Sequence, residues 1–173
     1  MKVTGLDDSN QSTRTPAEKK PLGKDENGDP CQERFEYSSV VGMLQYLSNY
    51  SRPDLAYAVN QCARFTHKPK RSHEKALKRI IRYLSGTRDK GLIMKPSSSM
   101  NIDLYADADF AGLWNSENHM DPISVKSRSE FLITLGGAPL IWGSKLQTEI
   151  ALSTMESEYI ALSTAMKDLI LVR

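Results

Sequence analysis

Three stretches in the first half of the chain repeat apolar residues at helical spacing. In the first, Val40, Val41, Leu44 and Leu47 share one face and predict a helix over 37–50. Ser51-Arg52-Pro53-Asp54 then reads as a restart, with Ser51 as the cap, Pro53 tolerated in the first turn and Asp54 at the positive helix end. Leu55, Ala58, Val59, Cys62 and Phe65 line one face and predict a second helix over 54–66. Cys62 is there a small buried hydrophobe, and Lys68-Pro69 breaks the run. Ser72 can cap a third helix over 72–86, whose buried stripe is Leu77, Ile80, Ile81 and Leu84 and whose end is Gly86.

Near residue 89 the period changes from helical to alternating. Antiparallel strands are predicted near 89–95, 101–108, 128–135 and 139–144. Gly136-Gly137 between two apolar runs is a hairpin signal, and a polar loop over 111–126 precedes that pair. A last helix is predicted over 154–172. Ser153 and Glu156 have capping-box spacing, and Tyr159, Leu162, Met166 and Leu169 form its apolar stripe. The pattern is that of an α/β (α+β) chain, helical first and strand-rich afterwards.

Composition adds a tether and an electrostatic polarity. Only 39% of the 173 residues are hydrophobic. Residues 1–36 are polar and punctuated by Pro16, Pro21 and Pro30, so they are expected to stay extended, free or laid over a partner domain. Residues 37–100 carry 12 Lys/Arg against 3 Asp/Glu, whereas residues 101–173 carry 5 against 10. Two cysteines without a Cys/His cluster argue against a disulfide scaffold or a structural zinc site. No run is long enough for a membrane span and the N-terminus lacks a signal-peptide core, so a soluble, intracellular protein is expected.

Three features could carry chemistry. Asp107 and Asp109 project to one side near a strand end, which spacing alone reads first as a solvated turn with an Asp cap and second as a cation site. In the last helix Glu156 has a capping task, while Glu158 flanks the apolar stripe, where an acid is costly unless paired or metal-bound. It could also simply face water. Lys75, Lys78, Arg79 and Arg82 recur along the third helix, either as a solvated face or as a grip on a polyanion.

Five ordered blocks resemble copia-type LTR-retrotransposon polyproteins. They are Tyr37–Leu47 (YSSVVGMLQYL), Ser51–Val59 (SRPDLAYAV), His73–Thr87 with its KRIIRYLSGT run, Tyr105–Gly112 (YADADFAG) and Ser144–Ala161 (SKLQTEIALSTMESEYIA). The resemblance implies that 37–100 is the thumb/connection end of a reverse transcriptase. It also implies that 101–173 is the N-terminal part of an RNase H-like domain, truncated after three antiparallel strands and a helix. Its activity would be Mg²⁺-dependent hydrolysis of RNA in RNA–DNA hybrids. Asp107 and Glu158 map to the first two of four metal-binding carboxylates, and the other two are expected beyond Arg173. Glu130 stands where the family usually has glycine, and Phe110 where it has tryptophan. The implied partners are a hybrid or other nucleic acid and an upstream polymerase domain in a parent polyprotein, in a cytoplasmic virus-like particle or the nucleus. With half of the carboxylates, the chain is expected to be inactive alone. A non-catalytic nucleic-acid-binding module and a non-functional relic are the alternatives.

Overall fold

In the computed structural model, residues 12–32, 36–114 and 120–172 are described. The chain divides into two units that meet between Gly91 and Leu92.

The first unit contains α1 (Tyr37–Tyr50), a 3₁₀ turn (Pro53–Leu55), α2 (Ala56–Ala63) and α3 (Arg71–Gly86). Their apolar faces form one core: Val40, Val41 and Leu44 of α1 meet Leu55, Ala58, Val59 and Cys62, with Leu77 and Ile80 of α3. The Tyr37 hydroxyl satisfies itself inside by donating to the Cys62 carbonyl at 2.8 Å. Burial drives the Cys62 thiol up to about 12, as for the inert small hydrophobe expected there.

Two capping expectations fail. Ser51 does not start the next helix; its hydroxyl donates back to the Leu47 carbonyl and closes α1. Ser72 is not the cap of α3 either. The cap position is Lys70, whose backbone N–H donates to His73 Nδ1 at 2.9 Å. A ring acceptor three residues on does the work that spacing assigned to a hydroxyl. The second helix is also shorter than expected, because Arg64–His67 turn away and release Phe65 to stack on His73.

Residues 12–32 lie as a strap across α3. Arg71 N–H donates to Asp29 O, Cys31 N–H to Pro69 O, and His73 Nε2–H to Gly23 O. Lys70 Nζ reaches Gly28 O, and Ser72 donates to Asp25. Hydrogen bonds to backbone carbonyls, which any residue supplies, hold a segment that has little apolar surface of its own.

The second unit is an antiparallel sheet in the order β1-β2-β3, with β1 (Ile102–Asp109), β2 (Arg128–Leu135) and β3 (Ala138–Leu146), followed by α4 (Thr154–Val172). Gly136 and Gly137 turn the β2–β3 hairpin at φ +56° and +80°, a region closed to most side chains. The strand expected near 89–95 does not form. That segment has no ladder partner, and its neighbour Ser97 reaches the sheet only through one bond to Gly136 O.

α4 packs on β1 and β2, but with a different face from the one its large residues suggest. Ser157, Ala161 and Ala165 are buried. Tyr159 is 66% exposed, Leu162 44% and Met166 40%. Small residues at i, i+4 and i+8 let the helix backbone lie close to the sheet, and the bulky stripe then points outward.

Candidate functional site

The basic face of α3 is only partly available to a partner. Arg79 donates from Nε to Thr15 O at 3.2 Å and from Nη2 to Thr15 Oγ1 at 3.1 Å, with Glu18 3.7 Å away. Lys78 is paired with the buried Glu74. Burial works against the Glu74 anion, but the bonds from Lys78, the Gln32 N–H and the Cys31 thiol outweigh it and hold the carboxyl below its ordinary range. Lys75 is exposed and Arg82 half-buried. The four residues taken together from the sequence therefore divide into two structural contacts, Lys78 and Arg79, and two outward cations, Lys75 and Arg82.

Arg-Pro-Asp restarts the helical run as expected, with Pro53 opening the 3₁₀ turn that leads into α2, and it is also a clamp. Arg52 forks onto Asp54 at 2.9 and 2.8 Å and onto Thr87 Oγ1 at 2.7 Å, and the Tyr83 hydroxyl donates to the same Asp54 oxygen at 2.8 Å. Burial opposes the Asp54 charge, yet the Arg52 and Tyr83 bonds keep its carboxyl below the usual value. The clamp ties the α1–α2 connection to the end of α3. Its sequence signal was the pairing of Arg52-Pro53-Asp54 with Tyr83 and Thr87 in two quoted blocks, which spacing alone does not link.

In the second unit the ladder sets Asp107 opposite Glu130 and Asp109 opposite Arg128. Asp107 is exposed. Like charges facing across a ladder repel, and here polar neighbours temper the pair. Ser144 Oγ donates to Glu130 Oε1 at 2.8 Å and accepts from Arg128 Nη1 at 3.3 Å. Glu130 is half-buried, so the residue that departs from the copia-type pattern is absorbed by Ser144.

Glu156 has the capping role. Its N–H donates to Ser153 Oγ at 3.1 Å, and its Oε2 accepts from the Leu152 N–H at 2.6 Å. Glu158, two residues on, is half-buried beside the Ser157–Ala161 stripe. Gln147 joins the sheet to this helix, donating to Ser129 Oγ at 3.0 Å and to Ser157 O at 2.9 Å. Through that link the Ser129 face, which the ladder shares with Ala108, meets α4. Strand alternation puts Asp107 on the other face, with Glu130. Among the described residues no three acids, histidines or cysteines gather to hold a metal, and no helix is long and apolar enough to cross a membrane.

No family model matches the chain, and no solved structure matches it. Curated relatives do. It is 36% identical over 143 residues to the retrovirus-related Pol polyprotein from transposon RE2 of Arabidopsis thaliana, covering 83% of this chain and 9% of that protein. It is 39% identical over 150 residues to the Pol polyprotein from transposon TNT 1-94 of Nicotiana tabacum, covering 87% of this chain and 10% of that protein. To the secreted RxLR effector protein 161 of Plasmopara viticola it is 40% identical over 132 residues, which are 76% of this chain and 87% of that one. The chain thus spans about a tenth of the Pol polyproteins it matches and most of the Plasmopara protein. Over most of its length the chain is thus homologous to a segment of the retrovirus-related Pol polyproteins borne by transposons.

Proposed function

We propose that the chain is a reverse transcriptase/RNase H piece of such a polyprotein, and that by itself it binds nucleic acid without cutting it. The observation that carries the reading is an order of elements: a three-stranded antiparallel meander with Asp107 near the end of its first strand, then a helix with Glu158 in its first turns. Asp107 and Glu158 both offer the hard oxygen donors that Mg²⁺ takes, but Asp107 lies on the sheet face turned from α4, so each would hold part of a centre rather than share one ion. When bound in such a centre, the metal activates the attacking water and stabilises the leaving oxygen of a phosphodiester. Two carboxylates on different elements, with no third ligand gathered beside them among the described residues, do not make a cage. Asp107 and Glu158 are therefore assigned to a divided metal site, and Lys75 and Arg82 to phosphate contact.

The test is anisotropy of a labelled RNA–DNA duplex titrated with the full chain at several salt concentrations. Affinity should fall as salt rises, because phosphate-bound cations release counterions. Changing both Lys75 and Arg82 to Ala should reduce the log–log salt slope by about 2. Asp107→Asn should leave binding intact, and Mg²⁺ should yield no cleaved RNA from the parent chain. Equal affinity and slope for the double variant would reduce the basic face to a solvated surface. Cleavage by the chain alone would refute the divided site.

A further inference from the structure

A cavity of about 200 Å³ lies in the first unit between the strap and the α2–α3 pair. Much of its wall is apolar: Pro21 and Leu22 come from the strap, Ala58 from α2, and Ala76 and Ile80 from α3. A cavity of roughly 150 Å³ is enough for a benzene ring, so one ring fills this space and two do not.

Gln61 also lines the cavity and is only 4% exposed. Its Oε1 accepts from Arg64 Nη1 at 3.0 Å, which fixes which end of the amide is which. The other end, Nε2, has no acceptor among the described residues. A buried donor without a partner is rare in native proteins and calls for an explanation. The cavity wall supplies one, because an acceptor on a bound ring would complete the amide. Charge gives the second half of the ligand. Lys20, Lys75 and Arg79 belong to the same lining, against Glu18 as its acid, and Glu18 is turned to Arg79.

We propose that this cavity is a binding site for a monocyclic aromatic anion: a flat ring carrying a carbonyl-type acceptor for Gln61 Nε2 and, at the other end, an anionic group for the cationic wall. The strap closes one side of the site, so ligand and strap hold each other in place. The site shares Lys75 with the proposed phosphate contacts but rests on its own geometry, within the first unit, and not on the nucleic-acid reading.

The probe is 4-acetylbenzoate, titrated into the full chain and followed by calorimetry and amide chemical shifts. Saturable one-to-one binding, with shifts centred on residues 58–80, is expected. 4-Ethylbenzoate has the same charge and nearly the same shape but no acceptor, and should bind roughly tenfold more weakly, the loss of one buried hydrogen bond. 4-Methylacetophenone keeps the acceptor and lacks the charge, and its binding should be weaker and insensitive to salt. Gln61→Glu removes the donor but keeps an acceptor for Arg64, and should erase the preference for the acetyl compound. Ala76→Phe should fill the space and abolish binding, with far-UV circular dichroism unchanged. The proposal is overturned if the folded chain does not bind the acetyl probe saturably, if it binds the ethyl compound equally well, or if Ala76→Phe binds as the parent does.

Discussion

His73 is the residue on which the strap and the start of α3 both depend, and its replacement by Ala gives a quantitative test. The ring is fully buried. Nδ1 accepts from Lys70 N–H at 2.9 Å, Nε2–H donates to Gly23 O at 2.8 Å, and the ring stacks on Phe65 at 4.0 Å between centroids. Two hydrogen bonds contribute about 1 kcal/mol each and the stacked pair about 0.5–1.5 kcal/mol beyond its area. His73→Ala should therefore cost the first unit about 3 kcal/mol. With two units in one chain a global midpoint is ambiguous, so the assay is amide hydrogen exchange at Cys31 and Arg71, whose N–H groups bond Pro69 O and Asp29 O. At about 1.4 kcal/mol per decade, protection should fall roughly 100-fold. Protection within threefold of the parent would refute the assignment of His73 as the pin.

The same geometry fixes a pH dependence. One ring nitrogen must accept and the other donate, so the native ring is the neutral tautomer. Burial is the main cause that holds its pKa below the ordinary 6.5, with Lys70 and Arg64 adding to it and the Gly23 bond and Asp25 opposing it. The unfolded state therefore binds the proton more readily. Stability from His73 is fully present above pH 6.5 and is lost as pH falls below it. Strap amide protection should drop on acidification from pH 7 to pH 5 in the parent and much less in His73→Ala.

Other expectations follow from the second unit and the clamp. Ala165→Leu should overpack α4 against the sheet and cost about 1–3 kcal/mol, whereas Leu162→Ala, on the outward face, should cost under about 1 kcal/mol; thermal melts followed through the helix signal compare the two. Gln147→Ala removes both bonds between sheet and helix and should destabilise by about 2 kcal/mol, read as faster exchange of α4 amides. Glu156→Gln should be nearly silent in the same melts, since the amide oxygen can still accept from Leu152 N–H. Gly136→Ala should cost about 1–2 kcal/mol, because its backbone is left-handed and an added Cβ would stand 2.8 Å from Ser97 N.

What the sequence disclosed depended on whether a signal was local. The stripes Val40-Val41-Leu44 and Leu77-Ile80, the Gly136-Gly137 turn and the Ser153–Glu156 cap are each written within one element, and each appears in the structure. Several of the failures involve a choice between partners that lie far apart. α4 has two apolar faces, and hydropathy favours Tyr159, Leu162 and Met166 over the Ser157-Ala161-Ala165 face that fits a sheet closely. Ser72 has the side chain of a cap, but Asp25 of the strap competes for its hydroxyl and His73 takes the role. In the candidate sites, basic spacing along α3 could not reveal that Thr15 and Glu74 already engage Arg79 and Lys78. Nor could strand alternation within β1 alone reveal Glu130 as the neighbour of Asp107. Gln61 carried no motif at all, because an unmet hydrogen bond is a property of surroundings rather than of spacing.

The strap also bears on the order in which the chain assembles. Gly23 waits for His73, 50 residues later, and Thr13 and Thr15 wait for Arg79, 66 and 64 residues later. At synthesis rates of about 5–20 residues per second, the strap has no seat for several seconds after it is made. Contacts at such separation also cost more loop-closure entropy than the neighbouring helix contacts. Docking of the strap should then be a late step, visible in pulsed exchange as Cys31 gaining protection after the α1 amides. Until that step the walls Ala58, Ala76 and Ile80 face water, so the newborn chain passes through an interval in which its core is closed on one side only.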